Sequence, residues 1–130
     1  MMTVDISLLK VLVVDDYKTM SRIISNLLGQ IGFKHVDEAS DGQSALIKLR
    51  ESSFHLIISD WNMEPMTGLD LLKHVRADVN LKHLPFIMVT AESKVDNVLA
   101  AKEAGVSNYI VKPFNALTLK NKLVSVLGEF

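Results

Sequence analysis

"LIISDWNMEPMTG", residues 56–68, decides how this chain is to be read. Leu56 to Ser59 form a short run without polar alternation, and the run ends on a carboxylate, Asp60, followed by turn-forming residues. A run of that length, bounded by turn residues and rich in Ile, reads as a strand buried on both faces of a parallel sheet. The aspartate then stands where the strand leaves the core. "KVLVVDD", residues 10–16, repeats the arrangement, an apolar run delivering Asp15 and Asp16. Further runs follow in "FIMVT", 86–90, and "YIV", 109–111, with a weaker candidate around Val36.

Between these runs the period changes. Met20, Ile23, Ile24, Leu27, Leu28 and Ile31 fall on the stripe of a helix lying against a sheet, as do Leu119, Leu123, Val126 and Leu127. Helices are predicted over 43–50, 68–76 and 94–104, with Gly105 as a C-terminal cap and Thr67 with Asp70 capping the helix that begins at Gly68. The result is five βα units, hence an α/β doubly wound parallel sheet with helices on both faces. No linker, low-complexity tract or repeat interrupts the alternation, and a single domain over residues 1–130 is expected.

The composition narrows the function. Fifteen acids oppose fourteen Lys plus Arg, for a net charge of -1, which provides no general attraction to nucleic acid or to an anionic membrane. No helix carries a basic stripe and no DNA-binding module follows the last helix, so no nucleic-acid partner is expected. The absence of cysteine removes thiolate metal sites and disulfides, and neither a signal peptide nor a membrane-spanning run is present. A soluble, monomeric, cytoplasmic protein is expected.

In open α/β sheets ligands bind beyond the carboxyl ends of the strands. Asp15, Asp16, Asp60, Thr90 and Lys112 all fall on that rim. Carboxylates gathered there repel one another, by about 4 kcal/mol per pair at ~4 Å and an effective dielectric of ~20, so a cation is needed. Oxygen donors with water suit Mg²⁺ better than zinc. A carboxylate beside Mg²⁺, a lysine and a hydroxyl has what phosphoryl transfer requires, with Asp60 as a nucleophile that forms an acyl phosphate.

The stretches "VLVVDD", "SDWNM", "MVTAE" and "YIVKPF" together resemble the receiver domains of two-component response regulators, nearest to the single-domain chemotaxis regulators. The resemblance implies a flavodoxin-like (βα)5 fold with strand order 2-1-3-4-5. It implies Asp60 as phosphoacceptor, with Mg²⁺ held by Asp16, Asp15, Asp60 and the backbone carbonyl of Asn62. Lys112 would contact the phosphoryl group, Thr90 would move toward it, and Tyr109 would follow by changing rotamer. Asn62 and Glu92 would modulate water access and so the lifetime of the phosphorylated state.

A histidine kinase would be the phosphodonor, and the chain would catalyse its own phosphorylation and dephosphorylation. The face formed by helix 4, strand 5 and helix 5 would then bind a target, the flagellar motor switch. A receiver outside motility, acting as a phosphorelay intermediate or a phosphate sink, is the alternative.

Some residues depart from the family pattern. Met-Glu-Pro at 63–65 stands where Met-Pro is usual, so Pro65 is shifted and Glu64 adds an acid to the rim. Thr67 replaces an acid before Gly68, and Pro113 resembles the family's cis proline.

Two other classes fit less well. A flavin module would need hydroxyls and glycines where "DDYKT" stands, residues 15–19. A haloacid-dehalogenase-type phosphatase would resemble a D-x-D motif, and here Asn62 occupies the second acid's place. His35, His55, His74 and His83 are scattered without helical metal spacing, and Met20, Met63, Met66 and Met88 read as packing.

Overall fold

The computed structural model describes residues 3–91 and 95–130. Its strands are β1 (Lys10–Val14), β2 (His35–Ala39), β3 (Leu56–Asp60), β4 (Phe86–Thr90) and β5 (Asn108–Val111). They alternate with α1 (Lys18–Ile31), α2 (Gly42–Glu51), α3 (Gly68–Ala77), α4 (Val95–Glu103) and α5 (Ala116–Leu127), and a 3-10 turn, Ile6–Leu8, precedes β1. All pairings are parallel, in the order β2-β1-β3-β4-β5. The flavodoxin-like order implied by the resemblance is therefore the order observed.

Burial follows position in the sheet. Every residue of β3 and β4 is buried, as are the last four of β1, whereas β2 and β5, at the edges, are only partly covered. This explains why β2, "HVDEA", carries the weakest apolar signal: an edge strand keeps one side near water. Two apolar layers flank the sheet. Leu12, Val14, Ile57, Phe86 and Met88 face α2 and α3 through Ala45, Leu46, Leu49, Leu71, Leu72 and Val75. Val11, Val13, Leu56, Ile58, Ile87 and Val89 face α1 and α5 through Ile24, Leu28, Leu119 and Leu123.

Local chemistry sets the helix starts. Asp41 and Asn115 accept the backbone N–H of Ser44 and Thr118, capping α2 and α5. Thr67 and Asp70 form the expected reciprocal capping box on α3. Gly105, two residues past α4, has φ +93°, a backbone setting that favours glycine. The Glu64–Pro65 and Lys112–Pro113 peptide bonds are both cis. Among the described residues no helix is long and apolar enough to cross a membrane.

Candidate functional site

The register brings the rim residues together. β3 ends on Asp60, paired across to Val89 of β4, while β1 ends one step earlier, with Val14 beside Ser59. Asp15 and Asp16 therefore emerge next to Asp60. One carboxylate oxygen from each of Asp15, Asp16 and Asp60 lies within 4.8 Å of the others, and these form the group of candidate metal-ligating side chains among the described residues.

The two neighbouring acids are not equivalent. Asp15 is 2% exposed and Asp60 4%, whereas Asp16 is open to solvent. Asp15 Oδ1 accepts the Tyr17 N–H at 2.9 Å, but its buried Oδ2 has no hydrogen-bond partner. Burial pushes the Asp15 carboxyl up from 3.8 to about 6, and the nearby charges of Asp60 and Asp16 add to the rise; the Tyr17 amide and Lys112 oppose it. A buried carboxylate oxygen without a partner is costly. It is the kind of atom a hard divalent cation would satisfy, so the donor set fits Mg²⁺ by its chemistry.

Lys112, one residue beyond β5, reaches Asp60: its Nζ donates to Oδ1 at 2.9 Å, and both groups are largely withdrawn from water. The backbone N–H of Lys112 donates to the Thr90 carbonyl at 2.7 Å, which locks the end of β5 against the end of β4. Thr90 is 6% exposed. It lines a gap of about 10 Å³ with Trp61, Met88, Asn97, Val98, Ala101 and Tyr109. Tyr109 is half-buried, with Lys122 Nζ 5.2 Å from its ring centroid. A crevice of about 320 Å³ opens on the other side, between β1 and β2, lined by Asp15, Asp16, Lys18, Ser21, Glu38 and neighbouring residues.

Asp15, Asp16, Asp60 and Lys112 are thus gathered at one place, with Thr90 at the adjoining strand end. Asn62 lies two residues past Asp60 in an exposed loop. Glu64 is exposed and stands outside the group of three acids. Glu92 lies outside the described residues. The histidines do not converge on the site; His55 Nδ1 accepts the Lys10 N–H at 2.9 Å at the opposite rim.

Two features of the site escape sequence reading. A Cβ on Gly68 would fall on the Asp60 carbonyl oxygen, 2.8 Å from Met88 Sδ and 2.9 Å from Trp61 Cα, so only glycine lets the start of α3 close over the end of β3. Ser59, fully buried, donates to the Asp60 carbonyl at 3.0 Å. A glycine at a helix start signals flexibility without showing what approaches it, and a serine in a strand does not announce its acceptor.

Comparison with known proteins agrees with this geometry. The family model described as "Response regulator receiver domain" matches residues 11–124. Chemotaxis protein CheY-3 of Vibrio cholerae is 53% identical over 115 residues, covering 88% of each chain. Chemotaxis protein CheY of Pseudomonas aeruginosa is 52% identical over 118 residues, covering 91% of this chain and 95% of its own. Among solved structures, Vibrio cholerae chemotaxis protein CheY4 superposes with a TM-score of 0.86 at 39% identity, over 92% of this chain and 98% of that one.

Proposed function

The chain belongs to the response regulator receiver domain family, with chemotaxis regulators among its relatives, and on that footing we propose that it signals by reversible phosphorylation of Asp60. The observation that carries this reading is the buried Asp60 carboxylate, ion-paired to Lys112 at 2.9 Å and crowded by Asp15 and Asp16.

In the forward step an Asp60 oxygen attacks the phosphorus of a phosphohistidine on a histidine kinase. A P–O bond forms, the P–N bond breaks, and the imidazole leaves with a proton from solvent. Asp15, Asp16, Asp60 and the Asn62 carbonyl would hold Mg²⁺, and the bound ion supplies positive charge that offsets the acids and the phosphoryl oxygens. Lys112 would follow a phosphoryl oxygen once Asp60 is phosphorylated, and the Thr90 hydroxyl would donate to another. Water then hydrolyses the acyl phosphate, with Asn62 and Glu92 setting its access, and Glu64 remains a solvated loop acid.

Output is a population shift, driven by the difference between the contacts of Lys112 and Thr90 in the two states. Tyr109, sharing a gap with Thr90, carries it to the face of α4, β5 and α5. Exposed Leu99 on α4 and Leu117 on α5 offer that face apolar contacts for a target; the relatives are named as chemotaxis proteins, and the target in this reading is the flagellar motor switch. Cytoplasmic location and action as a single receiver unit belong to the same reading.

Acetyl phosphate with Mg²⁺ should phosphorylate the wild type, and Asp60→Ala should remove the labelling while the far-UV circular dichroism stays native. Trp61, the only tryptophan, reports the step by fluorescence. Undiminished labelling of the Asp60→Ala protein would refute the assignment of the acceptor.

A further inference from the structure

Ser59 is 0% exposed and sits on the apolar face that β3 turns toward α2 and α3, between Val14 of β1 and Met88 of β4. A hydroxyl in such a layer is unfavourable unless it is hydrogen-bonded, and alanine would fill the position without that demand. The bond that Ser59 makes is local: Oγ donates to the carbonyl of the next residue, Asp60, at 3.0 Å. It joins no two elements, so it adds little to the architecture. What it does is fix one peptide plane.

That plane follows the proposed nucleophile. In a trans peptide the C=O and N–H point in opposite directions. The N–H of the Asp60–Trp61 peptide belongs to Trp61 and donates to the Val89 carbonyl of β4 at 2.8 Å. The carbonyl therefore points away from β4, toward β1, where the pairing has already ended at Val14 and Ser59. With no further pair of that ladder to engage it, this acceptor would be left without a strand partner, and Ser59 supplies the donor. Gly68 closes the other side, since a Cβ there would overlap the same carbonyl oxygen, and the Gly68 N–H donates to the Trp61 carbonyl at 2.9 Å. Both ends of the peptide are thus held, and with them the backbone from which the Asp60 side chain departs.

We propose that Ser59 is a positioning residue for the reaction at Asp60: its hydroxyl, by holding the Asp60 carbonyl, directs the carboxylate toward Lys112 and the other two acids. The inference rests on the phosphorylation reading above and adds a requirement to it. Small misplacements of a nucleophile are expensive in rate, because the reacting atoms must meet within a narrow range of distance and angle.

The test compares wild type, Ser59→Ala and Ser59→Thr in phosphorylation by acetyl phosphate at saturating Mg²⁺, followed by Trp61 fluorescence and scored by phosphate-affinity electrophoresis. Ser59→Ala should lower the rate at saturating donor about tenfold, a fraction of the loss that an ångström of misplacement can produce. Its half-saturating donor concentration and its melting temperature should stay near those of the wild type. Ser59→Thr, which keeps the hydroxyl, should recover most of the rate.

A wild-type rate in Ser59→Ala would overturn the proposal, as would a folded Ser59→Thr as slow as the alanine variant. If the extra methyl prevents folding, Ser59→Ala decides alone: a fall in the saturated rate at unchanged stability supports the role, and a fall that only follows lost stability removes it. Should the wild type itself take no label, the phosphorylation reading and this inference fall together, whereas a labelled wild type with an equally fast Ser59→Ala removes only the positioning role.

Discussion

At the amino-terminal rim of the sheet, charged and polar groups are provided for. Arg76, at the end of α3, donates to the carbonyls of Gly105, Lys82 and Leu84 at 2.9, 2.9 and 2.6 Å. Burial lowers the pKa of its guanidinium, and the three carbonyls compensate the desolvation. Lys10 donates to Ser52 at 2.8 Å and lies 4.5 Å from the centroid of the Phe54 ring. At the carboxyl-terminal rim, among the described residues, three acids gather, Lys112 pairs with Asp60, and a buried Asp15 oxygen is without a hydrogen-bond partner. One rim is satisfied by the chain itself. The other gathers like charges and a buried carboxylate oxygen without a hydrogen-bond partner, and this difference is what the proposed chemistry at Asp60 rests on.

The largest way to break the contrast is to remove Lys112, the lysine that pairs with Asp60 at the acidic rim. Lys112→Ala should lower the rate of phosphorylation by acetyl phosphate about 10²-fold, in line with the loss of one preorganised charge at a reacting centre. Because Lys112 is partly exposed, the fold should persist, which circular dichroism checks. A near-wild-type rate would mean that its contact with Asp60 is structural only.

The next effect is on stability. Asp15 has a carboxyl raised from 3.8 to about 6 in the folded protein, so between these values the folded state binds more protons than the unfolded state. Without divalent ions, the contribution of Asp15 to stability should therefore be greatest below about pH 4 and fall as pH rises through about 6, a loss on the order of 3 kcal/mol by pH ~7 from this group, while Asp37 and Asp41, whose carboxyls are lowered, contribute with the opposite sign. Urea unfolding across that range measures it. Saturating Mg²⁺ should cancel the decline by favouring the ionised form, and Asp15→Asn should flatten it without metal while weakening Mg²⁺ binding measured by Trp61 fluorescence. A metal-free wild type that gains stability relative to Asp15→Asn over this interval would contradict the account of Asp15.

Arg76→Ala gives the smallest change and sharpens the comparison from the other side. Stranding partly buried carbonyls should cost about 2 kcal/mol in urea unfolding. Phosphorylation by acetyl phosphate should stay within about twofold of wild type, because the change lies away from the acidic rim.

The central strands and the gathering of Asp15, Asp60, Thr90 and Lys112 were legible in the sequence, because strands buried on both faces must be apolar throughout and their ends are marked by the first polar residue. β2 was faint for the complementary reason: Asp37 and Glu38 are tolerated on an edge, where Lys48 reaches Asp37 at 3.1 Å and Ser21 and Ser25 donate to Glu38. The difference between Asp15 and Asp16 was hidden, since adjacent residues at a strand end diverge only once the neighbouring strands are placed. The Arg76 contacts were hidden too, because backbone carbonyls carry no sequence signature. The role of Gly68 depends on a close approach that only the packing of α3 on β3 reveals.

The most direct test of the central claim is the intact mass of the protein after exposure to acetyl phosphate, with and without Mg²⁺, followed by peptide mapping of any adduct. One phosphoryl group, found on Asp60 and dependent on the divalent ion, is the expected result. A chain that stays unmodified, takes the group without the ion, or carries it on a different residue would contradict a rim built to accept phosphate at Asp60.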